Sequence, residues 1–119
     1  GTPIDLITWK DGEMHGEYVN WHSNGNKRCE YHYQDGKPHG VCILWHENGQ
    51  KETHSNYEYG KREGKTMGWY ENGQIQYEDN YEDGLLNGYS VSFRENGSKR
   101  KEENYKHGFC WNRTNHVEG

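Results

Sequence analysis

Histidine, cysteine and carboxylate are the side chains here whose spacing could do chemistry, and metal binding is the first chemistry to weigh. His15 and His39 lie 24 residues apart, as do His22 and His46, among eight histidines in all. Zinc ligands must converge to about 2.0–2.1 Å from one ion. Equivalent residues on successive strand pairs instead stand roughly 9.6 Å apart with parallel side chains, two strand spacings of about 4.8 Å. Neither column continues, since the later positions read Glu63 and Asn87, or Tyr70 and Arg94. Structural or surface histidines are expected, and no metal site.

The three cysteines, Cys29, Cys42 and Cys110, form no Cys-x-x-Cys pair and leave one thiol over in any disulfide scheme. Reduced thiols in an intracellular compartment, the cytoplasm, are expected. Two sequons, Asn96-Gly97-Ser98 and Asn112-Arg113-Thr114, do not decide the compartment. Carboxylates are plentiful, as in Glu78, Asp79, Glu82 and Asp83, yet a glycosidase needs a pair facing across a cleft about 5 to 9.5 Å apart. The chain holds no Gly-x-Ser-x-Gly elbow, no phosphate-cradling Gly-x-x-x-x-Gly-Lys-Ser/Thr and no His-Glu-x-x-His. The expectation is no catalytic residue, no enzyme and no cofactor.

What must position any site is a unit of 24 residues repeated four times without insertion or deletion: Asp11 to Gln34, Asp35 to Glu58, Tyr59 to Glu82 and Asp83 to Lys106. Its second position is Gly12, Gly36, Gly60 and Gly84, and its sixth is Gly16, Gly40, Gly64 and Gly88. The eleventh is aromatic, reading Trp21, Trp45, Trp69 and Phe93, and Asn-Gly follows at Asn24-Gly25, Asn48-Gly49, Asn72-Gly73 and Asn96-Gly97. The twenty-third is Tyr33, Tyr57, Tyr81 and Tyr105. A fixed period of this size means that each unit buries its apolar face only against its neighbours.

Asn-Gly between runs rich in Val, Ile, Tyr, Trp and Thr predicts a β-hairpin closed by a type I′ turn. The first strand spans about the seventh to thirteenth positions and the second about the sixteenth to twenty-third, with Gly-x-x-x-Gly as the loop between hairpins. Alternation puts the seventh, ninth and eleventh positions on one face, as in Val41, Ile43 and Trp45. The second strand is too polar to be covered by another layer. The expected fold is all-β: an elongated, single-layer antiparallel meander of about eight or nine strands, with a ribbon of Trp, Val/Ile/Met and Tyr along one side.

The expected organisation is one repeat domain over residues 1–119. Residues 1–10 form an N-terminal half unit contributing a strand, with Trp9 where later units carry Tyr; 11–34, 35–58, 59–82 and 83–106 are the full repeats; 107–119 is a partial cap and tail. In that last segment Asn112 replaces the sixth-position Gly. Phe109 and Trp111 are expected to cover the last hairpin and Arg113 to Gly119 to fray. With Gly1 in place of an initiator Met, the chain is expected to be an excised segment, so nothing about a leader is read from it. No apolar run approaches the roughly 18 residues of a membrane-spanning helix. Only 29% of residues are hydrophobic and the mean hydropathy is -1.46, which alone would suggest disorder. Seventeen aromatics at repeating positions overturn that, each able to bury about 150–250 Å².

The Tyr-x-x-Gly-x-x-x-Gly string followed by an aromatic and Asn-Gly resembles the MORN repeat, from Trp9 to Phe109, about 85% of the chain. It is most similar to the variant type found in bacterial antitoxin-repeat proteins and in protist and large-virus proteins. The commoner type has a further Gly two residues after the second, where this chain carries Tyr18, Cys42, Thr66 and Ser90. Lipid binding is claimed for the commoner type, so it transfers weakly. The resemblance implies a non-catalytic β-sheet serving as a platform for partners.

Nineteen acidic against fourteen basic residues give a net charge of -5 with the signs interspersed. Nucleic acid and anionic membranes both reward clustered basic residues. The one basic run, Lys99-Arg100-Lys101, is followed at once by Glu102-Glu103, so neither partner is expected. The leading functional expectation is an interaction module that binds a protein partner, a peptide or helix, or a second copy of itself. Its expected contact residues are Trp21, Trp45, Trp69 and Phe93, flanked by Tyr33, Tyr57, Tyr81 and Tyr105. The alternatives are a purely structural repeat within a larger protein and an antitoxin-like protein that neutralises a toxin.

Overall fold

A computed structural model describes residues 6–117, with side chains from Trp9 onward. The strands are β1 (Leu6–Lys10), β2 (Glu13–Trp21), β3 (Lys27–Gln34), β4 (Lys37–Pro38), β5 (Gly40–Trp45), β6 (Lys51–Glu58), β7 (Lys61–Arg62), β8 (Gly64–Trp69), β9 (Ile75–Glu82), β10 (Leu85–Leu86), β11 (Gly88–Phe93), β12 (Lys99–Lys106) and β13 (Phe109–Asn115). The long strands lie in chain order in one antiparallel sheet, and the two-residue strands β4, β7 and β10 pair back onto β3, β6 and β9. The molecule measures 51 × 33 × 11 Å. That thickness is one sheet with its side chains, as the polar second strands require. The meander is longer and more finely divided than the eight or nine expected strands, because the chain leaves the ladder at His39, Glu63 and Asn87, just before the sixth-position Gly, whereas β2 runs unbroken through Gly16.

The turn chemistry differs from expectation. In the Asn-Gly turns only Gly has positive φ, as in Gly25 (94°) and Gly49 (90°). Gly25 N donates to His22 O at 3.0 Å and His22 N to Asn26 O at 2.8 Å. These bonds close a three-residue loop, a type I turn ending in left-handed Gly. The extra residue is absorbed by a bulge, where the register shifts between Asn20 and Trp21. The type I′ turn lies instead at the unit boundary. There Asp35 (φ 52°) and Gly36 (φ 80°) are both left-handed and Gln34 pairs with Lys37. The Gly-x-x-x-Gly segment is therefore a tight hairpin turn leading straight into a strand.

The register also separates the two aromatic rows. Gly16 pairs with Tyr33, Tyr18 with Tyr31 and Asn20 with Cys29, while Val19 pairs with Glu30. Since alternate residues face opposite ways, the twenty-third-position Tyr shares a face with the sixth, eighth and tenth positions, and the eleventh-position Trp lies with Val19 on the other. The expected single ribbon is thus two rows on opposite faces. Alternation within each strand could not show this; the cross-strand register does.

At the C-terminal end the strand continues past the expected fray point. Lys101 pairs with Asn115, Glu102 with Thr114 and Glu103 with Arg113, so residues 113–115 are strand and not tail; residues 118 and 119 lie outside the described residues. Asn112, without the Gly conformation, permits a narrower bulge than in the other units, which swings Arg113 opposite Glu103. Phe109 and Trp111 do not cover the last hairpin; they are 70% and 60% exposed. Among the described N-terminal residues, β1 pairs with β2, Leu6 opposite Val19.

Candidate interaction surface

The tryptophan face is built from the seventh, ninth and eleventh positions of β2, β5, β8 and β11. Val19 and Val91 are each 3% exposed and form the floor with half-buried Ile43 and Met67. Trp21, Trp45, Trp69 and Phe93 are half-buried beside them, one per repeat at roughly 9.6 Å intervals. Charged side chains flank this stripe. Lys27 Nζ sits 5.7 Å from the Trp45 ring centroid, Lys65 pairs with Glu78 at 3.0 Å, and Lys99 with Glu102 at 2.5 Å. Trp9 (61% exposed) stands near one end of the sheet and Trp111 near the other.

The tyrosine face has a floor of small and polar groups: Cys29, Cys42, Ser55, Thr66, Ser90 and Glu103 are all buried. A chain folded in one layer can bury such groups only under larger neighbours on the same face. Tyr18, Tyr31 and Tyr33 provide that cover at one end, with ring centroids 6.0–6.5 Å apart. Burial, outweighing the hydrogen bond with Tyr31, pushes the Cys42 thiol up to about 11. Burial also raises the Tyr31 phenol, with Cys42 and Cys29 adding to it. At the other end Ser90 Oγ donates to Asp79 Oδ1 at 2.5 Å. Arg113 Nε donates to Glu103 Oε2 at 2.7 Å. Burial alone would raise the Glu103 carboxyl, but hydrogen bonds from Arg113, Tyr105 and Lys101 hold it below its usual range.

Along this face the fourth position of each unit wedges beside the tyrosine row: Tyr33 pairs with Pro38, Tyr57 with Arg62 and Tyr81 with Leu86. Arg62 is the charged member of a column otherwise reading Met14, Pro38 and Leu86. Its Nε donates to the Tyr57 hydroxyl at 3.2 Å and its Nη1 to the Tyr81 hydroxyl at 3.1 Å. The guanidinium also lies 6.0 Å and 5.3 Å from the two ring centroids. Burial disfavours its charge, yet the bonds to Tyr57 and Tyr81 leave it raised on balance.

Two of the histidines tie the sheet together. His22 Nε2 donates to Trp45 O at 2.8 Å and His46 Nε2 to Trp69 O at 2.7 Å, and Tyr70 makes the same bond to Phe93 O at 2.7 Å. One column of changing residue type thus ties each unit to the carbonyl of the next aromatic. Asn24, Asn48 and Asn72 add a second ladder, each donating Nδ2 to the Glu carbonyl of the next turn at 2.7–3.1 Å. Among the described residues no group of three His, Cys, Asp or Glu could hold one metal ion. Asp79 and Glu103 line an open hollow of about 300 Å³ with Tyr70, Tyr77 and Tyr105, and Glu47, Glu52 and Glu71 line a larger open one of about 460 Å³ with His22 and His46.

Sequence reasoning put the Trp and Tyr columns in one ribbon, which the register divides between two faces, and missed Arg62. The signal was present, as one charge in an otherwise uncharged fourth-position column. No curated relative matches the chain. Residues 14–35, 38–59, 62–83 and 86–107 each match the MORN repeat variant. MORN repeats are generally non-catalytic and typically serve in protein or membrane interaction. With four tandem matches over most of its length, and with the hairpin meander those repeats demand, this chain belongs to the MORN repeat variant family.

Proposed function

We propose that this chain is a non-enzymatic platform that binds a protein partner, a peptide or helix, or a second copy of itself, along its aromatic rows. The observation that carries this reading is the row of Trp21, Trp45, Trp69 and Phe93, half-buried on a sheet one layer thick. Nothing in a single layer covers such a row, and large uncovered apolar stripes usually mark interaction sites. Trp and Tyr are also the side chains that most often dominate interface energetics. An α-helix rises about 10.5 Å in seven residues, close to the roughly 9.6 Å between successive repeats. A helix laid across the strands would therefore present similar positions to each Trp in turn. The row of Tyr33, Tyr57, Tyr81 and Tyr105 offers a second surface on the opposite face. Three free cysteines, two of them buried, support placing this activity in a reducing, intracellular compartment.

Selection of 16-residue peptides from a random display library against the whole chain, followed by an NMR footprint of the best binder, tests this reading. A footprint on Val41, Ile43, Trp45, Met67 and Trp69 supports it. A footprint confined to the turns, or a library that yields no binder, points to a purely structural repeat.

A further inference from the structure

We infer that Arg62, Tyr57 and Tyr81 form a site on the tyrosine face for a carboxylate carried by an acidic side chain of a protein segment. The three side chains converge through direct hydrogen bonds: two phenol oxygens accept from one guanidinium, at 3.2 and 3.1 Å. A phenol oxygen that accepts from an arginine keeps its own proton to donate. Among the described residues neither Tyr57 nor Tyr81 has an acceptor for that proton, and Arg62 Nη2 has no partner. Unused donors therefore surround a fixed positive charge. No carboxylate of the described chain pairs with Arg62, although acidic residues outnumber basic ones and the neighbouring Lys61 pairs with Asp83 at 3.3 Å.

The charge decides the class of anion. One guanidinium matches a monoanion, and a carboxylate takes bidentate bonds from it. Asp79, which lies opposite Thr66 and two residues from Tyr81 on the same face, disfavours a phosphate dianion. The flanks decide the source. Pro38 and Leu86 occupy the same column one repeat to either side, roughly 9.6 Å away. A partner segment with an acidic residue between two apolar ones at that spacing would satisfy all three positions. This site is on the face opposite the Trp row, so either can fail without the other.

The test follows the Arg62 Nε–H resonance of the whole chain, assigned by its loss in Arg62→Leu, a change that copies Leu86 of the next repeat. Sodium acetate should shift it saturably, while the exposed Arg28 and Arg100 do not saturate. Tyr57→Phe/Tyr81→Phe, which keeps both rings, should weaken the response several-fold. A helical peptide carrying Leu, Glu and Leu at seven-residue spacing should bind about tenfold tighter than its Gln analogue, in line with the loss of one charge-assisted pair. That preference should vanish in Arg62→Leu. No saturable shift, or a response unchanged by removing both hydroxyls, overturns the site. Tighter binding of inorganic phosphate than acetate overturns the carboxylate assignment. Equal binding of the two peptides while acetate still saturates overturns the protein-segment source.

Discussion

The ring of Tyr77 lies against Gly68, its partner across the β8–β9 pair: a Cβ at Gly68 would stand 2.2 Å from Tyr77 Cε1. Gly68 is not in the left-handed region, so it is required here by contact and not by backbone conformation. Its counterparts in the other units are Asn20, Leu44 and Ser92, which shows that this repeat has exchanged a side chain on one strand for a large ring on the next. Gly68→Ala should cost about 1–3 kcal/mol through overpacking, read as a fall in denaturation midpoint. Adding Tyr77→Thr, the type found at Thr53, should recover most of it. A Gly68→Ala chain as stable as the parent would contradict the packing.

The turns predict a contrast between two residues that look interchangeable in sequence. Asp35 has a φ of 52°, so Asp35→Val forces a β-branched residue into the left-handed region at a cost of about 1–2 kcal/mol. Asn48 is not left-handed; its Oδ1 accepts from Gln50 N at 2.9 Å and its Nδ2 donates to Glu71 O at 2.8 Å. Asn48→Asp keeps the acceptor, loses the donor and sets a carboxylate against a carbonyl, costing about 1 kcal/mol. Equal stability of Asn48→Asp and the parent in chemical denaturation would remove the inter-repeat ladder from the account.

Acid should loosen the last strand pair. Glu103 is 4% exposed and its pKa is lowered in the folded chain, where bonds from Arg113, Tyr105 and Lys101 outweigh burial. A lowered folded pKa means that the pairing contributes fully above the ordinary carboxylate range and is lost as pH falls through the lowered value. Glu103→Gln should be less stable at neutral pH by about 1 kcal/mol, modest because Arg113 is half in solvent. It should also lose part of the parent's fall in melting temperature below about pH 4.5. Identical pH profiles for the two chains would contradict this assignment.

The thiols should divide by burial. Cys29 and Cys42 are 7% and 5% exposed, and burial pushes the Cys42 thiol up to about 11; Cys110 is only half-buried. A disulfide reagent at pH 8 should label one thiol promptly in the native chain and all three after unfolding. Three equally fast thiols in the native chain would contradict the burial of the tyrosine-face floor.

The repeat length, the strand order and the absence of a second layer were legible because Asn-Gly, the paired glycines and the polar second strands recur at a fixed period. Four features were not, or only in part. Asn-Gly suits both a two-residue and a three-residue turn, and the hydrogen bonds of His22 and Asn26 are needed to separate them. The split between Trp21 and Tyr33 depends on the pairing of Gly16 with Tyr33, which no single strand reveals. The role of the twelfth position is hidden because His22, His46 and Tyr70 share a bond to a carbonyl and not a residue type. Arg62 stood out only as the one charge in its column, and its partners Tyr57 and Tyr81, 5 and 19 residues away, were not legible.

The central claim is that the Trp row binds a partner, beyond what its half-buried rings contribute to folding. The measurement that tests it most directly compares Trp45→Ala and Trp69→Ala with the parent, in melting temperature and in affinity for a peptide selected against the parent chain. Each variant should still melt cooperatively and should lose about 30-fold or more in affinity, equivalent to about 2 kcal/mol, beyond any loss of folding. If both variants unfold, or fold and bind the peptide as tightly as the parent, the row is packing or bystander and the account is wrong.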